Sequence, residues 1–217
     1  MARIAARTEP LLNSAEPTQQ PLKSAQTRAR LIEATIRCLV KFGYSNTTTL
    51  KVAGEAGLSR GAMLHHFENG SALMQATIGE LMDRRLRAFR RAVDNPAPDV
   101  RTLVRTYWNQ LLSPTFTAFL ELAIASRTDK CLARILEPAQ ERFRERWYEL
   151  AIQLFPEWQQ DRGSFDLALA LTQNTVEGMA INQMIRGSDD AMTEPVLDNL
   201  EQQILALRPK RKSQVQR

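Results

Sequence analysis

The residues of this chain that could do chemistry lie close together, between positions 57 and 67. The letters GLSRG at 57–61 match the G-x-S-x-G pattern, in which a serine on a sharp turn between a strand and a helix acts as a nucleophile. Threonines at 47–49 could belong to the preceding strand. The same letters also fit two short helices joined at a glycine, which is a DNA-reading arrangement. The two interpretations predict an enzyme and a DNA-binding protein.

The enzyme interpretation makes Ser59 the nucleophile of a hydrolase. A serine hydroxyl needs a neighbouring base to become reactive, and in this pattern the acid and the histidine follow the serine late in the chain. The only histidines are His65 and His66, six and seven residues after Ser59. The order serine, acid, histidine cannot be completed, so a serine hydrolase using Ser59 is the less favoured alternative.

The hinge interpretation gives a role to every residue type in the stretch. Gly57 supplies the unusual backbone of the turn, and Ser59 caps the second helix. The apolar wedge between the two helices is predicted to contain Val52, Ala56, Leu58 and Met63. In such motifs the N-terminal turn of the second helix enters the major groove. The residues expected to point away from the wedge, toward DNA, are Arg60, Gly61, Ala62, Leu64 and His65. Ser59, at the start of the helix, is expected at the same DNA-binding surface.

Apolar residues recur at steps of three and four along most of the chain, which predicts an all-α fold. Only residues 47–53 alternate as a strand would. Gly43 is placed to end the first helix, and Thr47 or Thr48 to cap the second. The third helix follows Ser59, and the fourth begins at Asn69 or Ser71 and ends before residue 95. The other predicted helices cover residues 24–42, 99–112, 115–127, 129–155, 164–187 and 193–207.

Charge is distributed unevenly along the 217 residues, whose net charge is +5. Residues 1–94 hold 14 Lys/Arg and 8 Asp/Glu, residues 95–207 hold 10 and 16, and residues 208–217 hold 5 and none. A basic N-terminal part on an acidic body indicates that one part of the molecule faces a polyanion. The longest apolar run has five residues, so no membrane span is expected. Two cysteines predict neither a disulfide framework nor a zinc site, and no metal or cofactor is expected.

The stretch 24–73 resembles the N-terminal domain of TetR/AcrR regulators. It has a helix ending in KFGY, then TT, then VAGEAGLSRGAMLHHF, then a long connecting helix. The resemblance implies a three-helix DNA-binding domain joined by a long helix to an all-helical domain for ligand binding and dimerisation. It also implies a homodimer that a small molecule releases from operator DNA. The domains expected are a disordered basic arm at 1–23, a helix-turn-helix domain at 24–70, a regulatory domain at 71–207 and a basic tail at 208–217.

Two residues depart from the family pattern. Leu64 stands where the family usually has a tyrosine, and Gly70 where it usually has a lysine; both usual residues hold the DNA backbone. Since phosphate contacts supply most sequence-independent affinity, their loss should weaken binding. Residues that could compensate are Arg60, Thr48, His65 and His66, together with the basic arm. The alternative is a helical ligand-binding or assembly protein of the same fold without specific DNA binding.

The regulatory domain needs a pocket and an interface. Residues 165–185 are apolar on most sides, and Leu197, Leu200, Ile204 and Leu207 form a stripe on the last helix, so a homodimer through the last two helices is expected. The effector is predicted to be largely apolar. Its candidate contacts are Tyr107, Trp108, Phe116, Phe119, Glu121, Phe143, Trp147, Asn174, Met179 and Gln183. The sequence therefore predicts a cytoplasmic ligand-responsive repressor.

Overall fold

A computed structural model of the protein describes residues 19–93, 99–187 and 191–209, and within these ranges it contains helices and no strand. The α-helices are α1 (Gln19–Phe42), α2 (Thr49–Glu55), α3 (Arg60–His66), α4 (Gly70–Val93), α5 (Val100–Leu111), α6 (Pro114–Ser126), α7 (Lys130–Leu154), α8 (Arg162–Arg186) and α9 (Thr193–Leu207). A 3-10 helix at Pro156–Gln160, which the sequence did not predict, separates α7 from α8. The all-α prediction is confirmed.

The first helix begins earlier than predicted. Residues 19–23 of the expected disordered arm belong to α1, while residues 1–18 lie outside the described part of the chain. Glutamine, leucine and lysine are good helix formers, and Pro21 falls in the first turn, where a missing N–H costs little. Gly43 ends α1 with a φ of 73°, as its position predicted.

The threonines at 47–49 do not form a strand, which corrects one of the two interpretations of this stretch. Thr48 is the N-cap of α2, and its hydroxyl oxygen accepts a hydrogen bond of 3.3 Å from the N–H of Lys51. A threonine that bonds a nearby backbone N–H favours a helix start over extended pairing.

Two apolar cores share the helices α1 and α4. The smaller core holds α2 and α3 and contains Leu31, Ala34, Cys38, Val52, Ala53, Ala56, Met63, Phe67 and Leu73. The larger core spans the other helices, and Ile36 and Leu39 of α1 and Ile78 and Phe89 of α4 belong to it. Because the same two helices enter both cores, they fix α2 and α3 relative to the rest of the chain.

The apolar stripe of α9 faces the chain's own core. Leu197, Leu200 and Ile204 are buried in the larger core, so this part of the predicted dimer face is wrong. α9 packs on α5 and α8, and its acidic outer edge pairs with α5: Arg105 donates to Glu194 at 2.8 Å. The large apolar side chains that α8 and α9 leave exposed are Leu167, Met184, Ile185 and Leu205.

The start of the predicted basic tail is held by the fold. The Nε of Arg208 donates to Glu157 at 2.6 Å, and its guanidinium lies 4.8 Å from the ring centroid of Phe155. The charge of Arg208 is therefore paired within the chain. Residues 210–217 lie outside the described residues.

Candidate nucleic-acid interface and cavity

A glycine turn connects α2 to α3. Gly57 has a φ of 63°, its N–H donates to the carbonyl of Gly54 at 2.9 Å, and the N–H of Leu58 donates to that of Ala53 at 2.8 Å. This pair of bonds is the Schellman motif that closes a helix. A Cβ at position 57 would also lie 2.8 Å from Nη2 of Arg30. The turn therefore requires glycine, as the hinge interpretation predicted.

Ser59 begins α3. Its hydroxyl oxygen accepts a hydrogen bond of 3.1 Å from the N–H of Ala62, which makes it the N-cap. The residues before it form a helix and a turn, and His65 and His66 lie on α3 itself. The nucleophile-elbow interpretation of Ser59 is therefore wrong, because the strand that would present the serine does not form.

One side of α3 packs against the smaller core. Met63 is fully buried against α2, and Phe67, which follows the last turn, is buried as well. The predicted wedge is confirmed for Val52, Ala56 and Met63, while Leu58 is half-buried against the same core. The anchor leaves the other side of α3 free of the protein interior.

The free side of α3 carries the predicted DNA-facing residues. Arg60, Gly61, Leu64 and His65 are exposed, Ala62 and His66 are half-buried, and Thr48 is exposed at the start of α2. A Cβ added to Gly61 would meet only the hydroxyl oxygen of Ser59, at 3.9 Å. Packing inside the protein therefore does not require glycine at 61. A first turn with such small side chains can come close to another surface.

Two arginines of α1 bond the backbone of the turn before α3 and of the last residue of α3. The guanidinium of Arg28 donates to the carbonyl of His66 and lies 4.1 Å from the ring centroid of Phe67. Nη2 of Arg30 donates to the carbonyl of Gly57 at 3.2 Å. Neither role was predicted from the sequence, since the two arginines lie 38 and 27 positions from their partners.

Further basic residues of the N-terminal part have acidic partners inside the protein. Nε of Arg37 donates to Glu55 of α2 at 2.7 Å. Arg84 of α4 pairs with Glu33 of α1 and, at 2.8 Å, with Glu80. A share of the positive charge counted from the sequence therefore stabilises helix contacts. Arg60 remains exposed on α3.

Gly70 opens α4 close to α2. A Cβ on Gly70 would lie 3.1 Å from Cγ2 of Thr49, which is tighter than ordinary contact. Asn69 caps the helix, since its side-chain oxygen accepts from the N–H of Ala72 at 2.9 Å. A side chain at position 70 would therefore press on the Thr49 side chain.

An apolar cavity of about 70 Å³ lies between α4, α5, α7, α8 and α9. Its lining has aromatic and aliphatic side chains and no charged group: Phe89, Val100, Leu103, Val104, Tyr107, Trp147, Ala151, Phe155, Trp158, Phe165, Ala168, Leu169, Thr172 and Ile204. Thr172 and Tyr107 are the polar members. The cavity is large enough for a very small apolar molecule and smaller than usual ligand pockets, which measure roughly 300–1,000 Å³.

Two of the ten predicted effector contacts, Tyr107 and Trp147, line this cavity. Four others are buried elsewhere in the larger core: Trp108, Phe116, Phe119 and Phe143. Three lie on α8, with Asn174 exposed and Met179 and Gln183 half-buried. Glu121 lies at the contact between α6 and α1, where its carboxylate accepts from the N–H of Tyr44 at 3.4 Å. The aromatic lining residues that follow α7, Phe155, Trp158 and Phe165, were not predicted as effector contacts from the sequence.

A polar cluster adjoins the cavity, with Arg85 and Tyr107 buried and Glu177 half-buried. The hydroxyl of Tyr107 donates to Glu177 of α8 at 2.7 Å, and that carboxylate oxygen lies 3.6 Å from Nη2 of Arg85. Arg85 is only 6% exposed, and its guanidinium lies 4.3 Å from the ring centroids of both Phe119 and Phe143. Cation–π contacts and the carboxylate together allow a charge to remain buried there.

The cluster changes the acidity of its members. Burial raises the pKa of the Tyr107 hydroxyl, and the negative charge of Glu177 raises it further. Burial also lowers the pKa of Arg85, against the effect of Tyr107 and Glu177. The sequence contained a signal for Arg85, because it lies on the apolar stripe of α4, three and four residues from Met82 and Leu81.

Within the described ranges, no helix is long and apolar enough to cross a membrane, and no group of three or more His, Cys, Asp or Glu side chains could hold a metal ion.

Comparison with known proteins finds a family match in the region that contains α2 and α3. The family of bacterial regulatory proteins called tetR matches residues 31–77, which contain α2, α3 and the start of α4. An HTH-type transcriptional regulator of Mycobacterium tuberculosis is 31% identical over 175 residues, covering 76% of this chain and 85% of its own length. The chain belongs to the TetR family.

Other likenesses cover most of the chain. The HTH-type transcriptional regulator CymR of Pseudomonas putida is 28% identical over 169 residues, covering 76% of this chain and 83% of that protein. A transcriptional regulator from Pseudomonas aeruginosa has the same fold, with a TM-score of 0.67 over 88% of this chain and 94% of the other, at 22% identity. As a TetR-family member, the chain is a DNA-binding transcriptional regulator and not an enzyme.

Proposed function

We propose that α3 reads operator DNA with Arg60, Gly61, Ala62, Leu64 and His65, while Thr48 and His66 contact the DNA backbone nearby. The observation that carries the proposal is the geometry of α3. Ser59 caps its N-terminus, and Met63 anchors one side. The opposite side is exposed, and the first turn carries the small residues Gly61 and Ala62. Gly61 and Ala62 leave room for a base edge close to the backbone. Arg60 can then reach a guanine or a phosphate.

Selection of duplexes from a random library, followed by gel shifts, tests this proposal. The chain should enrich one sequence with two-fold symmetry, and Arg60→Ala should weaken binding to it by about 1–3 kcal/mol if the side chain pairs with guanine. Failure to enrich any sequence would favour a ligand carrier of the same fold. Such a carrier would also lack the steep salt dependence of a protein that neutralises phosphates.

We propose that two copies of the chain pair through α8 and α9. Ile185 is 76% exposed, and Leu167, Met184 and Leu205 are exposed on the same two helices. Two reading helices are needed to span successive major grooves, about 34 Å apart. A homodimer would cover the apolar side chains and supply the second α3. Ile185→Glu should dissociate the dimer in analytical ultracentrifugation, whereas Leu112→Glu, an exposed leucine at the end of α5, should not.

The effector proposed for the apolar cavity is a small neutral molecule, because no charged side chain lines it. An ionised carboxylate or ammonium would lose its hydration there without a partner, which costs several kcal/mol. The cavity volume of about 70 Å³ limits a guest that fits it to a few heavy atoms. Titration calorimetry with neutral and ionised members of one series, for example 1-propanol and propionate, should detect the neutral member only.

Effector binding is proposed to release the protein from DNA, which makes it a repressor acting in the cytoplasm, where its operator lies. Phe89 of α4 lines the cavity, and α4 begins beside α2 at Gly70. A guest that moves α4 therefore changes the spacing of the paired reading helices, with a coupling of roughly 1–3 kcal/mol. A reporter gene behind the selected duplex tests the sign: its expression should rise when the chain is removed.

A further inference from the structure

The contacts of Arg28 and Arg30 indicate a role other than the attraction of DNA by positive charge. Both are exposed basic residues next to α3, so the simplest expectation is that they bind phosphates. Their contacts differ from that expectation, because each guanidinium bonds a backbone carbonyl of the helix-turn-helix unit. We propose that Arg28 and Arg30 are positioning residues that hold α3 at the angle required to read a base sequence. The proposal rests on the reading role of α3.

The two arginines reach opposite ends of residues 57–66, the segment that contains the turn and α3. Residues two positions apart on an α-helix are separated by about 200° around its axis, so their side chains diverge. Arg30 bonds Gly57, which precedes α3, and Arg28 bonds His66, the last residue of α3. The carbonyls held in this way lie on either side of the buried anchor Met63.

Both carbonyls need an outside partner. The last carbonyls of a helix have no partner within the helix and carry the negative end of its dipole. His66 ends α3, and Gly57 follows the end of α2, so each arginine places a cation at the C-terminus of one of the two short helices. Arg28 also stacks on the buried ring of Phe67, 4.1 Å from its centroid, which fixes the direction of its side chain.

A short helix depends on such contacts for its orientation. α3 has seven residues, too few to be stable alone, and within the helix only Met63 is buried. A helix held along one line can rock about that line, whereas bonds to its last residue and to the turn that precedes it oppose the rocking. Rocking would carry Arg60 and Leu64 away from the base edges but would leave the exposed cations outside α3, such as Lys41 and Lys51, in place. Loss of the bonds should therefore reduce discrimination between sequences more than overall attraction to DNA.

The experiment compares binding of full-length variants to a selected duplex and to a scrambled duplex of the same composition, over a range of salt concentrations. The measured quantities are the ratio of the two Kd values and the slope of log Kd against log salt. Partial unfolding of a variant lowers the active fraction for both duplexes equally, so the ratio remains informative. The variants are Arg28→Ala, Arg30→Ala and Arg30→Lys, where lysine keeps a donor within reach of Gly57.

Arg28→Ala and Arg30→Ala are expected to reduce the ratio by about tenfold, the loss typical of one mismatched base pair, with the salt slope unchanged. Arg30→Lys should restore most of it. Arg37→Ala is the matched control, since it removes an arginine of the same helix that contacts α2 and not α3. Its ratio should stay within about twofold of the wild type, because an exposed ion pair contributes little.

Two results would overturn the proposal. If Arg28→Ala and Arg30→Ala weaken both duplexes equally and reduce the salt slope by about 0.9 each, the arginines are phosphate contacts. If the ratio is unchanged, they have no positioning role. Arg60→Ala separates these failures from failure of the proposed function: if it too leaves the ratio unchanged, α3 is not the reading helix.

Discussion

Arg84 and Arg85 are neighbours in α4, yet their side chains bond opposite parts of the protein. Arg84 pairs with Glu33 of α1, in the part that carries α2 and α3. Arg85 pairs with Glu177 of α8, beside the cavity and the proposed dimer face. Two successive residues of α4 thus connect this helix to the part with α2 and α3 and to the part with α8 and the cavity. A movement of α4 relative to both α1 and α8 would disturb both ion pairs.

Arg85, the buried one of these two arginines, should be important for stability. Arg85→Ala removes the cation between Phe119 and Phe143, leaves a void, and takes the partner from Glu177. The free energy of unfolding, measured by urea denaturation, should fall by about 2–4 kcal/mol. Arg87→Ala is the control, because Arg87 is exposed and pairs with Glu80 at 2.7 Å; it should cost less than about 1 kcal/mol. Equal losses for the two variants would contradict the role of burial.

Gly57→Ala should destabilise the protein by about 1–2 kcal/mol, because an L side chain is strained at positive φ. The new methyl group would also crowd Arg30. Gly54→Ala is matched to it within α2, where an added Cβ meets nothing within 4 Å. That change should stabilise the protein by about 0.5–1 kcal/mol. Thermal unfolding of both variants checks the prediction, which fails if the two shifts have the same sign.

Ser59 should separate stability from DNA binding. Ser59→Ala removes the cap of α3 and should cost about 0.5–2 kcal/mol of stability. Ser59→Asp keeps a capping oxygen and should retain stability, but its negative charge beside Arg60 should repel phosphates and weaken DNA binding. Urea denaturation and gel shifts on the same preparations measure the two effects. Wild-type affinity in Ser59→Asp would mean that the start of α3 lies away from DNA.

A lysine at position 70 needs room beside Thr49. Thr49→Ser removes the Cγ2 that lies 3.1 Å from where a Cβ of residue 70 would stand, so Gly70→Lys should be tolerated better in that background. The double variant should gain one phosphate contact and steepen the salt dependence of DNA binding by about 0.9. Thr49→Ser alone is the control and should leave the slope unchanged. An equal salt slope for the double variant and for Thr49→Ser would show that residue 70 does not reach the DNA backbone.

Three capping aspartates should make the protein sensitive to acid. Helix N–H groups of Thr102, Leu132 and Ser164 lower the pKa of Asp99, Asp129 and Asp161, respectively, below the ordinary value of 3.8. Their folded-state pKa is depressed, so their contribution to stability is present above about pH 4 and is lost as the pH falls through the lowered values.

The triple variant with Asp99→Asn, Asp129→Asn and Asp161→Asn checks this dependence. Asparagine caps helices about as well as aspartate but does not titrate. Thermal unfolding between about pH 6 and pH 3 should decline less steeply in the variant than in the wild type. Parallel curves would assign the acid sensitivity to other groups.

Local patterns predicted much of this structure because the physics behind them is local. The turn at Gly57, the caps at Thr48 and Ser59 and the buried Met63 all follow from residue types within a few positions. The end of α1 at Gly43 was predicted for the same reason. These features also define the exposed side of α3, so the candidate DNA-facing residues could be named from the sequence.

Contacts between distant residues could not be predicted in this way. The bond from Arg28 to His66, the pair of Arg85 with Glu177 and the burial of the α9 stripe depend on how helices pack, and a helical period does not specify the partner. For the cavity, two of the ten predicted side chains line it, because aromatic composition alone does not separate a lining from a core. The early start of α1 was missed because its polar sequence has little apolar period.

The cavity between α4 and α9 has one more consequence. A guest that fits the existing void can bind without displacing any helix, so it should occupy the protein and leave DNA affinity as it was. A larger guest must push on the lining, and Phe89 makes α4 part of that lining. Within one chemical series, molecular size would then separate silent guests from inducers, with the threshold set by the void itself.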